Sequence, residues 1–226
     1  MSAEHHRDPP AAASAWTHPR ARREEILSAA IQGSAALASA IGLACLVGRS
    51  QARFDAAARI GLAVYGTASI LAFLASALYH GMPDPRTRRI LQRIDHCTIF
   101  LLIAGTYTPV ALLPLRQHGG VVLLGAIWIV ALAGILLRLG NERLYERVAI
   151  AVYVLMGWLG LGWGLPLYRE IGAATILLMI LGALSYTGGL LFYRWHGRPY
   201  TNALWHVCVV AGSACFYAAI WRIASP

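Results

Sequence analysis

The chain has 226 residues, of which 58% are hydrophobic and only 13% charged, about half the charged fraction of an ordinary soluble domain. With a mean hydropathy of +0.58, this excludes a water-soluble globular protein, and the length leaves room for one bundle and no second domain. The net charge of +9 comes from 19 basic against 10 acidic residues; every basic residue is Arg, and the arginines cluster between apolar runs. That placement speaks for membrane topology and anionic lipid head groups, not for nucleic acid.

Residues 1–24 are polar and rich in Pro, Ala and Arg, and read as a disordered cytoplasmic tail. His5-His6 is too short for a metal-binding tract. Residues 25–226 read as the membrane domain. The first apolar run, Ile26–Gly48, is too long for a signal-peptide core and reads as a retained span. Uncharged runs follow at Ile60–Tyr79, Cys97–Leu115, Val121–Leu137, Val148–Tyr168, Ile171–Tyr193 and Pro199–Trp221. About 20 apolar residues cross a hydrocarbon core ~30 Å thick as a helix, and barrel strands are shorter and alternate. The expected fold is therefore all-α, a bundle of seven transmembrane helices.

With the N-terminus in the cytoplasm, the inside segments hold thirteen arginines: Arg7 to Arg23, Arg86 to Arg93, Arg138 to Arg147, and Arg194 with Arg198. The outside segments hold six. The positive-inside rule thus predicts a cytoplasmic N-terminus and an outside C-terminus, in the bacterial inner membrane.

Ser34, Ala38 and Gly42 stand at i, i+4 and i+8 in the first run, and Gly160 and Gly164 form a GxxxG. Both read as packing seams. Pro109, Pro114 and Pro166 are places where helices kink or end. Cys45, Cys97, Cys208 and Cys215 form no CxxC pair and read as buried small hydrophobes, not as a disulfide framework.

The polar residues within the runs are few and gather at one level. Ser76 and His80 share a face at the cytoplasmic end of the second span. Asp95 and His96 stand at the head of the third, and Asn202 and His206 lie four apart at the start of the seventh. Topology set by the arginines alone brings them to one side of the membrane. Ionisable groups at that depth are costly and usually have a partner and a task. Two imidazoles with a carboxylate suit a zinc site that keeps an open position for water. Ser76 would then hydrogen-bond the water or a developing oxyanion, and Asp95 would accept a proton from the water or orient a ligand imidazole. The plainer reading stands beside it: His80 and Asp95 as an interfacial pair, and His206 as a hydrogen bond between helices.

Three stretches carry a resemblance: Ser76-Ala-Leu-Tyr-His80, Ile94-Asp95-His96 and Leu102-Ile-Ala-Gly-Thr-Tyr-Thr-Pro109. Arg23-Glu-Glu25, Ser185-Tyr-Thr-Gly-Gly and Trp205-His206-Val extend it over roughly residues 23–222. The sequence resembles the hemolysin III family, the bacterial branch of the progestin and adipoQ receptor proteins that include the adiponectin receptors. The resemblance implies seven helices with a cytoplasmic N-terminus. It also implies a zinc near the cytoplasmic face, held by the His ending the second helix and by an HxxxH pair in the seventh. Carried over, the ligands are His80 and His206, with Asp95 and Ser76 beside them as catalytic groups. The activity implied by receptor-type members and related alkaline ceramidases is hydrolysis of a ceramide-like lipid amide; the bacterial name implies cytolysis. The sequence departs from the pattern at Asn202, which replaces the first His of HxxxH, at Gln32 in place of an early His, and at Cys215 before Phe216.

Three functions are therefore carried forward: a zinc-dependent membrane hydrolase acting on a lipid amide, a non-catalytic lipid sensor or membrane-homeostasis protein with a degenerate metal site, and a pore-former. Few charges line the predicted spans, which speaks against a pore. No P-loop or GxGxxG points to a nucleotide, haem or flavin. The expected partner is membrane lipid, and the sequence is silent on oligomeric state.

Overall fold

The computed structural model describes Trp16 and residues 18–50, 54–195 and 198–225; His5-His6, Arg7 and Arg53 lie outside the described residues. Among those described there is no strand. Seven α-helices follow in order: α1 (Pro19–Ser50), α2 (Ala56–Gly81), α3 (Pro85–Leu112), α4 (Gly120–Gly140), α5 (Glu142–Trp158), α6 (Gly164–Arg194) and α7 (Thr201–Ile223). A 3₁₀ turn, Leu159–Trp163, joins α5 to α6.

The bundle is built by neighbours in sequence. α1 packs on α2, α2 on α3, α3 on α4 and α6 on α7, and α1 against α7 closes the ring. The outer surface is apolar: Leu37, Val122, Ile129, Leu136 and Leu155 are each at least 66% exposed. Water would not tolerate such a face, whereas lipid is its natural solvent. Six stretches are long and apolar enough to cross a membrane, with Glu142–Arg194 counted as one. The chain is a multi-pass integral membrane protein.

That long stretch is not one straight rod. As a continuous helix its 53 residues would extend ~80 Å, well over twice a hydrocarbon core. Yet the Trp158 indole N–H donates to Thr187 Oγ1 at 3.1 Å. A straight helix would hold those two residues ~43 Å apart. The chain reverses at Gly172, whose φ of +72° and ψ of 168° interrupt α6. This region of backbone space is open essentially to glycine alone.

Cores lie between helices instead of at one centre. Phe100 and Ala104 of α3 meet Ile127 and Ala131 of α4, with Tyr145, Ala149 and Met156 of α5. Phe100 fits because Gly134 carries no Cβ where the ring lies. Leu46, Leu62, Tyr65 and Ile220 join α1, α2 and α7.

Several expectations change. α3 begins at Pro85, twelve residues before the uncharged run, so Arg86, Arg88, Arg89 and Arg93 lie on a helix and not in a loop. Asp95 and His96 are accordingly well inside α3. The cause is a standard helix start: the Asp84 side chain accepts from the Thr87 N–H at 2.8 Å, and Pro85 occupies the first turn. Hydrogen bonds from Thr87, side chain first, hold the Asp84 carboxyl below its usual range. α1 likewise begins at Pro19, which makes Glu24 and Glu25 helical.

The predicted seams hold only in part: Gly42 is buried against the Tyr217 ring and Gly160 lies close to the Tyr107 ring. Ser34 and Ala38 are exposed, and the buried stripe of α1 runs through Ser28, Gln32, Ala35, Gly42 and Leu46. Gly160 lies in the 3₁₀ turn, where its N–H donates to the Tyr107 hydroxyl at 2.9 Å, and Gly164 faces open space. Cys45 is exposed and the other three cysteines are half-buried, all as free thiols. In lipid a small thiol gains little from burial, so the expectation of buried cysteines carried over from water-soluble cores does not hold. Pro109 sits inside α3, buried, with Thr106 and Thr108 bonding carbonyls one turn back.

Candidate metal centre and lipid cavity

α2 and α7 each present a histidine at i+4 from a small polar residue, Ser76 to His80 and Asn202 to His206. Both imidazoles are 4% exposed. Their Nε2 atoms approach to 2.9 Å, with ring centroids 4.6 Å apart and planes at 74°. Ser76 is also buried, one turn before His80 on α2, and Asp95 of α3 lines the same cavity as the two histidines. Four of the predicted residues are thus one neighbourhood.

Glu25 and Arg88, which the sequence reading did not place in the site, organise it. One Glu25 carboxylate oxygen accepts from His80 Nδ1 at 2.7 Å. The other accepts from Arg88 Nη2 at 2.6 Å. Arg88 is only 2% exposed. It also donates toward the Tyr79 and Met82 carbonyls that end α2, and its guanidinium lies 4.6 Å from the Tyr79 ring centre. A buried arginine requires such a carboxylate, because an unpaired charge there costs several kcal/mol. Glu24, its neighbour, accepts from the Asn202 backbone N–H at 2.9 Å. A carboxylate thus caps the N-terminus of α7 from another helix. The only sequence signal was Arg23-Glu-Glu25 before an apolar run.

These bonds order the protons. His80 Nδ1–H donates to Glu25, so Nε2 of a neutral His80 is a lone pair. His206 must then donate from its own Nε2–H, which leaves its Nδ1 an acceptor. The Gln32 amide nitrogen is the donor facing that Nδ1. One atom is left out: Gln32 Oε1 is buried with no partner. Turning the amide over would offer Oε1 to His206 Nδ1–H and free both Nε2 lone pairs.

That alternative is the orientation metal-bound imidazoles adopt, each fixed by a second-shell partner on its other nitrogen. In donor type and second shell the pair fits zinc. In number it falls short of the three protein ligands of a catalytic site. Among the described residues no three His, Cys, Asp or Glu stand grouped closely enough to enclose an ion. Asn202 is turned away, with Nδ2 3.5 Å from Ser28 Oγ. His96 points elsewhere and stacks on Tyr145 at 5.7 Å. Asp95 is the carboxylate at hand for the third position.

The cluster heads a cavity of about 1110 Å³. Glu25, His80, Asp95 and His206 line its polar end, and Val110, Leu123, Met179 and Phe216 line its depth. That exceeds the usual range for small-molecule sites, ~300–1,000 Å³.

Comparison with known proteins identifies relatives of the chain. The family described as Haemolysin-III related matches residues 21–217. The chain is 34% identical over 195 residues to Hemolysin-3 of Bacillus cereus, covering 86% of this chain and 89% of that one. It is 35% identical over 195 residues to the Hemolysin-3 homolog of Bacillus subtilis (strain 168), covering 86% and 92%. A more distant match is the human Monocyte to macrophage differentiation factor, 25% identical over 169 residues, covering 70% and 68%. The chain belongs to the Haemolysin-III related family.

Proposed function

We propose, with that family membership as the premise, that the protein is a seven-span component of the cytoplasmic membrane that hydrolyses the amide of a membrane lipid with the help of zinc. The observation that carries this reading is the meeting of buried His80 and His206 with Asp95 on the wall of one large cavity, with Ser76 buried one turn before His80. Seven spans follow when Glu142–Arg194 is divided at the reversal at Gly172. A cytoplasmic N-terminus is the orientation that puts thirteen of nineteen arginines inside.

In this reading His80 and His206 hold the metal, with Asp95 as the third donor or as the base beside it. Zinc when bound activates water and polarises a carbonyl. The chain's own residues do the rest. Glu25 fixes the His80 tautomer, and Arg88 fixes Glu25. Asp95 accepts the proton of the attacking water, and Ser76 steadies Asp95 or the developing oxyanion. The apolar shaft holds the acyl chain and keeps bulk water from the reacting carbonyl. The test is turnover of an N-acylated long-chain amino alcohol by purified protein, read as released fatty acid. Activity in wild type that disappears in Asp95→Asn supports the reading; no release with zinc supplied opposes it.

A second reading, a non-catalytic lipid sensor, draws on a specific observation. The chain from Gln32 through His206 and His80 to Glu25 closes on hydrogen bonds alone, and Asn202 replaces an imidazole. A wild type that binds lipid in the cavity without metal or turnover favours it. Pore formation draws least support, because a conducting path needs polar walls and the cavity wall is mostly apolar.

A further inference from the structure

We propose that the outward face of α3 formed by Arg86, Arg89 and Arg93, with Ile90 and Ile94 between them, binds the phosphate of an anionic phospholipid. These positions fall at i, i+3 and i+7 for the arginines and i+4 and i+8 for the isoleucines, one continuous helical face. All five are exposed, Ile90 at 61% and Ile94 at 45%. Arg88 lies on the opposite side, 2% exposed and bound to Glu25. The four arginines of this segment therefore divide cleanly: one builds the site within the bundle, and three face out.

The three are short of partners. Arg93 reaches Glu142 at 3.6 Å, but both side chains are about half exposed, where such a pair is worth little. Arg89 has no carboxylate in salt-bridge contact among the described residues, and Arg86 feels only the Asp84 charge at its own helix start. Together the three arginines and Ile90 wall a concavity of about 320 Å³. Guanidinium groups in this arrangement match phosphate oxygens with paired N–H donors.

Depth selects a lipid over a soluble anion. Arg93 is four residues, and Arg89 eight, before Cys97, where the uncharged run begins. At 1.5 Å per residue they stand ~6 and ~12 Å beyond it. The head-group layer is ~5–8 Å thick on each side, and arginine stems are long enough to reach back into it. Ile94, three residues before Cys97, falls within that layer and needs apolar cover, which a lipid gives and free phosphate does not.

The test is native mass spectrometry of the full chain in detergent, titrated with palmitoyl-oleoyl phosphatidylglycerol, the matching phosphatidylcholine, and inorganic phosphate. Wild type should retain the glycerol lipid in preference to the choline lipid. Each interfacial arginine contributes ~1 kcal/mol, so R86Q/R89Q/R93Q should weaken retention on the order of a hundredfold. R59Q/R169Q, which removes two exposed arginines elsewhere, should retain it. The triple lysine variant keeps the charge but loses the paired donors and should fall between. Retention by R86Q/R89Q/R93Q equal to wild type, or no preference between the two lipids, overturns the proposal. Displacement by equimolar inorganic phosphate assigns the site to free phosphate and overturns the lipid. None of these outcomes depends on zinc or on hydrolysis.

Discussion

The Nε2 atoms of His80 and His206, 126 residues apart in the chain, stand 2.9 Å from each other inside the bundle. Two imidazole nitrogens that close need something shared between them, a proton or a metal ion. The remaining contacts of the pair decide which, and each makes an expectation.

Glu25 is the first. Its carboxylate is bonded to both His80 and Arg88. Glu25→Ala leaves a buried arginine unpaired and should destabilise by ~3–5 kcal/mol. In detergent this reads as a large drop in melting temperature. Adding Arg88→Met to Glu25→Ala should recover much of the loss, since the stranded charge is then gone. Equal melting of wild type and Glu25→Ala would remove Glu25 from its organising role.

Gln32 reports the state of the pair. Without metal, His206 should carry its proton on Nε2; with metal, on Nδ1. Nitrogen-15 spectra of histidine-labelled protein distinguish the two tautomers. Gln32→Leu removes the partner of a buried ring nitrogen and should cost ~1–3 kcal/mol. A His206 tautomer that does not change when zinc is added speaks against metal at Nε2.

Asn202 is the position where one substitution should complete a ligand set. Asn202→His restores a third imidazole one turn before His206 and should raise zinc affinity at least about tenfold, by analogy with the effect of much smaller outer-shell changes. Competition with a chromophoric chelator measures it. Unchanged affinity would mean that the Glu24 cap holds residue 202 away from the pair.

Gly172 carries the reversal within α6. Its backbone angles are closed to other residues, so Gly172→Ala should cost ~1–3 kcal/mol. A cysteine pair at 158 and 187, replacing the hydrogen-bonded Trp158 and Thr187, should be joined by a short bifunctional maleimide, whose span makes up for the lost indole. No cross-link would mean the two segments do not run side by side.

The sequence made the apolar spans legible because a bilayer demands length and hydrophobicity, and both are local properties. It concealed what depends on caps and on distant partners. Reading Cys97 as the start of a helix followed hydropathy, although Asp84-Pro85 is a cap signal that places the start at Pro85. The level shared by Ser76, His80, Asp95 and His206 was legible because topology alone fixes height along the membrane normal. Glu25, Arg88 and Gln32 were not, because nothing in their spacing says that α1 turns these faces toward α2, α3 and α7. The small-residue stripe of α1 was misread at Ser34 and Ala38, which lie off the face kept by the buried set Ser28, Gln32, Ala35, Gly42 and Leu46; of the three only Gly42 belongs to that set.

The most direct measurement is the metal content of the full-length protein purified in mild detergent without chelators, for wild type, His80→Ala and His206→Ala. The account predicts about one zinc per wild-type chain and essentially none in either variant, with all three folded by circular dichroism. Wild type free of zinc after dialysis against it, or variants that hold as much as wild type, would contradict it.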